Sequence, residues 1–153
     1  WVFDAVFPLL RASDDAVVIN LSSVAAITGR SGPGALVFND GYAAASRGVQ
    51  IFTETWARMG APNVRVNELM LGLFETRHAQ GTRGWNQALD PAQRQALVDH
   101  TLVRRTGTIA DVVKACLFII QDAPYMTGSV LRLDGGFVLA GEKVPSMPGG
   151  ILS

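Results

Sequence analysis

A serine and a tyrosine in this sequence have the types and spacing to act together on one oxygen atom: one of the adjacent pair Ser22 and Ser23, with Tyr42. The serines follow the apolar run Ala16-Val-Val-Ile-Asn20, and Tyr42 opens the stretch Gly41-Tyr-Ala-Ala-Ala-Ser-Arg-Gly-Val49. A serine hydroxyl and a phenol can jointly hydrogen-bond a carbonyl or alcohol oxygen. The phenol's ordinary pKa of about 10 must move towards neutrality before it can serve as a base. Such a pair belongs outside the carboxyl end of a strand, where open α/β sheets bind their ligands.

The elements that would place them follow from periodicity. Trp1 to Arg11 has apolar residues at helical spacing, with Pro8 expected to kink or break it unless these are the last turns of a longer helix. Ala16 to Leu21 is a continuous apolar run of strand length, suited to a parallel strand covered on both faces. Gly29 to Gly34 lacks phosphate-cradle spacing and a Lys, so it reads as a flexible loop or insertion on the site's side. Tyr42 to Met59 reads as a long helix, with Tyr42, Ala45, Val49, Phe52 and Trp56 forming one apolar stripe. Ile51 and Met59 add a second apolar side, which predicts packing against a partner chain as well as the sheet.

Val64 to Met70 is the next predicted strand, and Leu71 to Trp85 is irregular. Asp90-Pro91 starts a short helix to about His100, with Asp as N-cap and Pro at the first helical position. Thr108-Ile-Ala-Asp111 has capping-box spacing and opens a helix through Ile120. Ser129 to Leu133 is a last strand, and the tail beyond Val138 runs over a surface. Helices alternating with strands predict an α/β fold with a parallel sheet, although only three strands are visible.

Composition narrows the function classes. With 153 residues, 48% of them hydrophobic, the chain is long enough for one domain with a core. Thirteen basic residues balance thirteen acidic ones, so nothing advertises nucleic acid or an anionic membrane. The single cysteine, Cys116, excludes a disulfide framework within one chain and points to a reduced, cytoplasmic setting. Cys116 itself reads as a small buried hydrophobe. His78 and His100 lie far apart with no partner at metal spacing, so no metal site is expected. His100, near a helix C-terminus, suits a dipole interaction, and Arg104-Arg105 reads as a solvated pair.

Taken together, Asn20-Leu-Ser-Ser-Val24, Tyr42-Ala-Ala-Ala45, Val64-Arg-Val-Asn67, Gly72-Leu-Phe-Glu-Thr76, Arg105 to Asp111, Tyr125-Met-Thr-Gly128 and Leu133-Asp-Gly-Gly136 are far more specific. Their order and rough spacing resemble the C-terminal half of a short-chain dehydrogenase/reductase, over residues 1–137, with 138–153 as a tail. The resemblance implies an incomplete Rossmann-like, doubly wound parallel sheet. It implies an NAD- or NADP-dependent oxidoreductase that moves hydride between the nicotinamide and a small carbonyl or alcohol substrate. On it, Tyr42 is the general acid/base and contacts the cofactor. Ser23, rather than Ser22, orients the substrate oxygen, and Gly72 and Thr76 are cofactor-binding. Arg77, Arg83 and Trp85 fall in the family's substrate lid. Assembly as a homodimer or homotetramer through the Trp1 and Tyr42 helices is also implied.

This sequence departs from the pattern in three places. The family's Lys four residues after the Tyr, on the same helix face, is Ser46 here, and the adjacent Arg47 is rotated about 100° away. The Ser-to-Tyr interval is longer, with Gly29 to Gly34 as the insertion, and the family's Pro-Gly after the Val-Asn strand is Leu71-Gly72. The family's Gly-rich pyrophosphate turn and active-site Asn would lie upstream of Trp1, so the sequence is expected to begin mid-domain. The alternative reading is a catalytically impaired relative that works as a binding or assembly subunit.

Overall fold

The computed structural model describes residues 1–76, 85–141 and 144–150, with the side chains of residues 85 and 86 set aside. The chain runs α1 (Val2–Arg11), β1 (Ala16–Ser23), α2 (Ala25–Thr28), α3 (Asp40–Gly60) and β2 (Val64–Leu71). It continues with α4 (Trp85–Ala88), α5 (Pro91–His100), α6 (Ile109–Leu117) and β3 (Val130–Leu133). The three strands form one parallel sheet in the order β1-β2-β3. In register, Asn20 faces Glu68, Ser22 faces Met70 and Ser23 faces Leu71, which in turn faces Leu133. All three carboxyl ends therefore finish on one level.

That level is tightly joined. Val24 N–H donates to Leu71 C=O at 2.9 Å, and Gly72 N–H donates to Leu133 C=O at 2.9 Å. A Cβ at Gly72 would lie 2.5 Å from the Asp134 Cα, so only glycine lets the two strand ends approach this closely.

The two faces of β2 are packed differently. Val64 and Val66 join Phe3, Ala16 and Ala57 under α1 and α3, where the Phe3 and Trp56 rings stack at 4.2 Å. On the other face, the Arg65 guanidinium donates to the carbonyls of Ile119 and Ala123 at 3.0 Å and of Ile120 at 3.1 Å. These contacts explain why the helix expected through Ile120 ends as α at Leu117 and widens into a π-type turn over Phe118–Asp122. Guanidinium protons satisfy carbonyls that the α-helical ladder leaves free at its end.

Several other expectations change. The helix begins at Asp40, two residues before the expected Tyr42, because Asn39 is the N-cap and its Oδ1 accepts from Tyr42 N–H at 2.8 Å. Of the expected apolar stripe only part faces the core: Trp56 packs against it, whereas Tyr42 and Phe52 are exposed. Ser46, Thr53, Ala57 and Gly60 are the buried face of α3, while Tyr42, Ile51, Phe52 and Met59 are exposed. Small residues let the helix lie close to the strands, and Asn20 Nδ2 reaches Thr53 Oγ1 at 2.9 Å across that narrow gap. The presumed loop after Ser23 holds α2 and a 3₁₀ turn over Gly32–Leu36, with Gly34 buried. Helix α1 runs through Pro8 without interruption. Both expected caps of α5 and α6 are present as full capping boxes, Asp90 with Gln93 and Thr108 with Asp111.

Candidate active site

Where β1 and β2 end, a cleft of about 430 Å³ opens between the Gly32–Leu36 turn, α3 and the segment after β2. Four of its lining residues are those singled out in the sequence, Ser23, Tyr42, Gly72 and Thr76, and they come from three separate segments: the end of β1, the start of α3 and the stretch after β2. Ser22 and Ser46 also line it, and Phe38, Leu73, Phe74 and Leu89 give it apolar walls. A few converging hydroxyls in an apolar cavity are the usual composition of a small-molecule site.

Each hydroxyl has a distinct setting. Ser23 is buried at the strand end, and its Oγ accepts from Ala25 N–H at 3.2 Å, leaving its own proton to be donated into the cleft. Tyr42 sits in the first turn of α3, about two-fifths exposed (38%), with its ring stacked 5.9 Å from that of Phe38. Ser46, one turn further, is buried beside the same cleft. No charged group is among the described lining residues.

Ser22, set aside in favour of Ser23 on the resemblance, is engaged elsewhere: it is buried, and its hydroxyl donates to Glu68 Oε1. Glu68 is fully buried in the middle of β2, and its Oε2 has no hydrogen-bond partner among the described residues. Burial pushes the Glu68 carboxyl up from its ordinary value; the Ser22 hydrogen bond and the Arg47 charge oppose this, and Glu54 reinforces it. Sequence reading missed Glu68. The available signal was an acidic residue inside a strand whose other residues after Arg65 are apolar or Asn67.

Other candidates resolve simply. Arg104 and Arg105 are each paired, with Asp99 and Asp111 respectively, rather than merely solvated. The His100 ring lies edge-on to Phe137 at 4.7 Å, in the last turn of α5. Among the described residues no cluster of three or more His, Cys, Asp or Glu could hold a metal, and no helix is long and apolar enough to cross a membrane. Arg77, His78, Arg83, the Trp85 side chain and Lys143 lie outside the described residues.

The motifs that flank the cleft are structural ties. Asn67 Nδ2 donates to Met126 C=O at 2.8 Å, and Asn67 Oδ1 accepts from Ser129 N–H at 3.2 Å. Thr127 Oγ1 accepts from Val66 N–H at 3.1 Å. Asp134 accepts from the N–H groups of Gly136 and Val138, each at 3.0 Å. A parallel sheet carrying hydroxyl-bearing residues at its carboxyl ends, stitched by these motifs, is a Rossmann-like scaffold with the place for a ligand at its strand ends.

Comparison with known proteins agrees. The family model described as enoyl-(acyl carrier protein) reductase matches residues 2–138. The 3-oxoacyl-(acyl-carrier-protein) reductase of Chlamydia trachomatis is 29% identical over 131 residues, covering 84% of this chain and 47% of its own length. Carbonyl reductase family member 4 of Danio rerio is 30% identical over 128 residues, covering 83% of this chain and 47% of its own. Among solved structures, a gluconate 5-dehydrogenase of Burkholderia cenocepacia, crystallised with NADP and tartrate, superposes with a TM-score of 0.76. It is 26% identical and covers 91% of this chain and 51% of that one. The chain belongs to the short-chain dehydrogenase/reductase family. It spans about half the length of the curated relatives it matches.

Proposed function

We propose that this chain forms the C-terminal half, residues 1–137, of a dinucleotide-binding domain, and that the protein reduces a carbonyl group with NADH or NADPH. The observation that carries the reading is the convergence of Ser23, Tyr42, Gly72 and Thr76 on one cleft at the strand ends. Its size and mixed apolar and hydroxyl lining fit the nicotinamide end of such a cofactor. Thr76 and the Gly72 backbone would hold the nicotinamide, and Tyr42 would contact the adjoining ribose. When bound, the cofactor supplies a hydride to the carbonyl carbon.

The chain's own residues handle the oxygen. Ser23 donates a hydrogen bond to the carbonyl oxygen and holds it within reach of Tyr42. The Tyr42 hydroxyl then gives up its proton as negative charge builds on that oxygen. Position 46 carries a hydroxyl where a cation would favour a charged phenolate. The same substitution motivates the second reading, a binding or assembly subunit with weakened turnover.

Exposed apolar residues on two helices support assembly between copies: Trp1, Val2 and Leu9 on and next to α1, and Ile51, Phe52 and Met59 on α3. A homodimer or homotetramer that covers them is the expected state, and a monomer by light scattering at micromolar concentration would count against it. The activity test is NADPH oxidation by the protein in its natural length, with a panel of 3-oxoacyl thioesters, sugars and simple ketones. Tyr42→Phe should abolish turnover while cofactor binding by calorimetry persists. Absence of any cofactor binding overturns the oxidoreductase reading and favours the assembly subunit.

A further inference from the structure

A carboxyl group is an expensive residue to seal inside a sheet. Glu68 is fully buried, and its strand neighbours Val66, Leu69 and Met70 show that apolar side chains fill this strand well. The polar groups around it are already used or aimed at it. Asn20, opposite in register, is bonded to Thr53, while Ser22 gives its hydroxyl to Glu68 Oε1. Oε2 has no partner among the described residues. A buried polar atom left unpaired calls for a reason beyond packing, because it forgoes the hydrogen bonds that water would give. Ser22 supplies a second observation, since the residue that holds Glu68 also lines the cleft with Tyr42 and Ser46.

We propose that Glu68 is a positioning residue that keeps a proton in reserve for Tyr42, with Ser22 as the connection between the buried carboxyl and the cleft. The proposal rests on the reductase reading above. In the step, the Tyr42 O–H bond breaks as the new O–H bond forms on the substrate oxygen, leaving a phenolate. The hydrogen bond that Ser22 donates to Glu68 Oε1 turns over in the step: protonated on Oε1, Glu68 passes its proton to Ser22 Oγ as Ser22 releases its own proton into the cleft, where one water carries it to the Tyr42 oxygen. The carboxylate left behind is recharged by the same route in reverse, a solvent proton entering the cleft and passing through Ser22 to Glu68 Oε1 before the next turnover. No electrons move in this relay; it transfers one proton inward to Tyr42 and one from solvent to Glu68.

The surroundings suit this cycle. Burial favours the neutral, proton-holding form of Glu68. The charged groups acting on it stand on α3: Arg47, which eases the transient carboxylate, and Glu54, which opposes it and is itself hydrogen-bonded to Gln50 at 3.1 Å. On β1 its facing residues, Asn20 and Ser22, are uncharged, as is its β3 register partner Val130. Where a helix cation at position 46 would stabilise a phenolate, this chain offers a means of discharging one.

The test combines spectroscopy with kinetics on the protein in its natural length. Isotope-edited infrared spectroscopy with ¹³C-labelled glutamate should show a protonated carboxyl at about pH 7 that disappears in Glu68→Gln. With NADPH and a ketone substrate, Glu68→Gln should lower kcat by about 10- to 100-fold, the lower range for assisted proton transfer, with KM unchanged. It should also remove one limb of the kcat–pH profile. Glu68→Asp should restore part of the rate, and Ser22→Ala should give the same loss while the infrared band remains. An ionised Glu68 at about pH 7, or a Glu68→Gln enzyme with wild-type kcat and pH profile, overturns the proposal while leaving the reductase reading intact. Wild-type protein that binds no NADPH overturns both, and the binding measurement tells the two failures apart.

Discussion

Asn67 and Glu68 are adjacent, both wholly buried, and on opposite faces of the same strand. Asn67 uses its amide nitrogen and its oxygen to fasten the chain before β3. Glu68 has one oxygen on Ser22 and one on nothing among the described residues. The difference separates two reasons for burying a polar side chain. Asn67 is accounted for by the scaffold, because each of its groups replaces a bond that the main chain would otherwise lack. Glu68 is not, and it lies on the face that carries Ser22 towards the cleft.

The contrast predicts opposite responses to mutation. Asn67→Ala strands the Met126 carbonyl and the Ser129 N–H together, and should destabilise by about 3 kcal/mol, seen as a lowered denaturant midpoint. An unchanged midpoint would dissolve the comparison from the Asn67 side. Arg65→Ala, on the same face, withdraws protons from three carbonyls and should cost about 2 kcal/mol, with faster amide exchange confined to the Phe118–Asp122 turn.

Glu68→Gln should do the reverse and hold or raise stability at neutral pH by about 1 kcal/mol, because it removes a buried group that can ionise. The sign follows from linkage. Glu68 is raised in the folded state, so the native chain holds more protons than the unfolded one above the ordinary value of 4.5, and wild-type stability falls as pH climbs towards the folded pKa. The variant should lack that decline in a pH series of urea melts. An identical decline in both proteins would assign it to another group.

The smallest effect belongs to Asp111. Arg105 first, then the Thr108 N–H and hydroxyl, hold its carboxyl far below the usual carboxylate range. A depressed acid contributes stability above its ordinary pKa of 3.8 and loses it as pH falls. Asp111→Asn should flatten the acid side of the stability curve slightly and leave pH 7 turnover untouched.

How much of this could be read in advance depends on how local the cause is. The caps at Asp90 and Thr108 were legible because each acts within one turn of its own helix. Ser23 and Tyr42 were legible through their motifs, and the structure brings them to one cleft. The inward face of α3 was read only in part: Trp56 of the apolar stripe does meet the core, but Ser46, Thr53 and Ala57, inside on account of their size, form most of it. Glu68 was visible only as an acidic residue out of place in an apolar strand. Its meaning depends on strand parity, on the register that sets it near Ser22, and on which face carries α3.

The close approach at Gly72 has a mechanical consequence. Asp134 presses against that glycine from one side and clasps the N–H groups of Gly136 and Val138 on the other. Asp134 therefore ties the floor of the cleft to the turn after β3. A side chain at position 72 would prise Asp134 away and loosen the strand ends and that turn together.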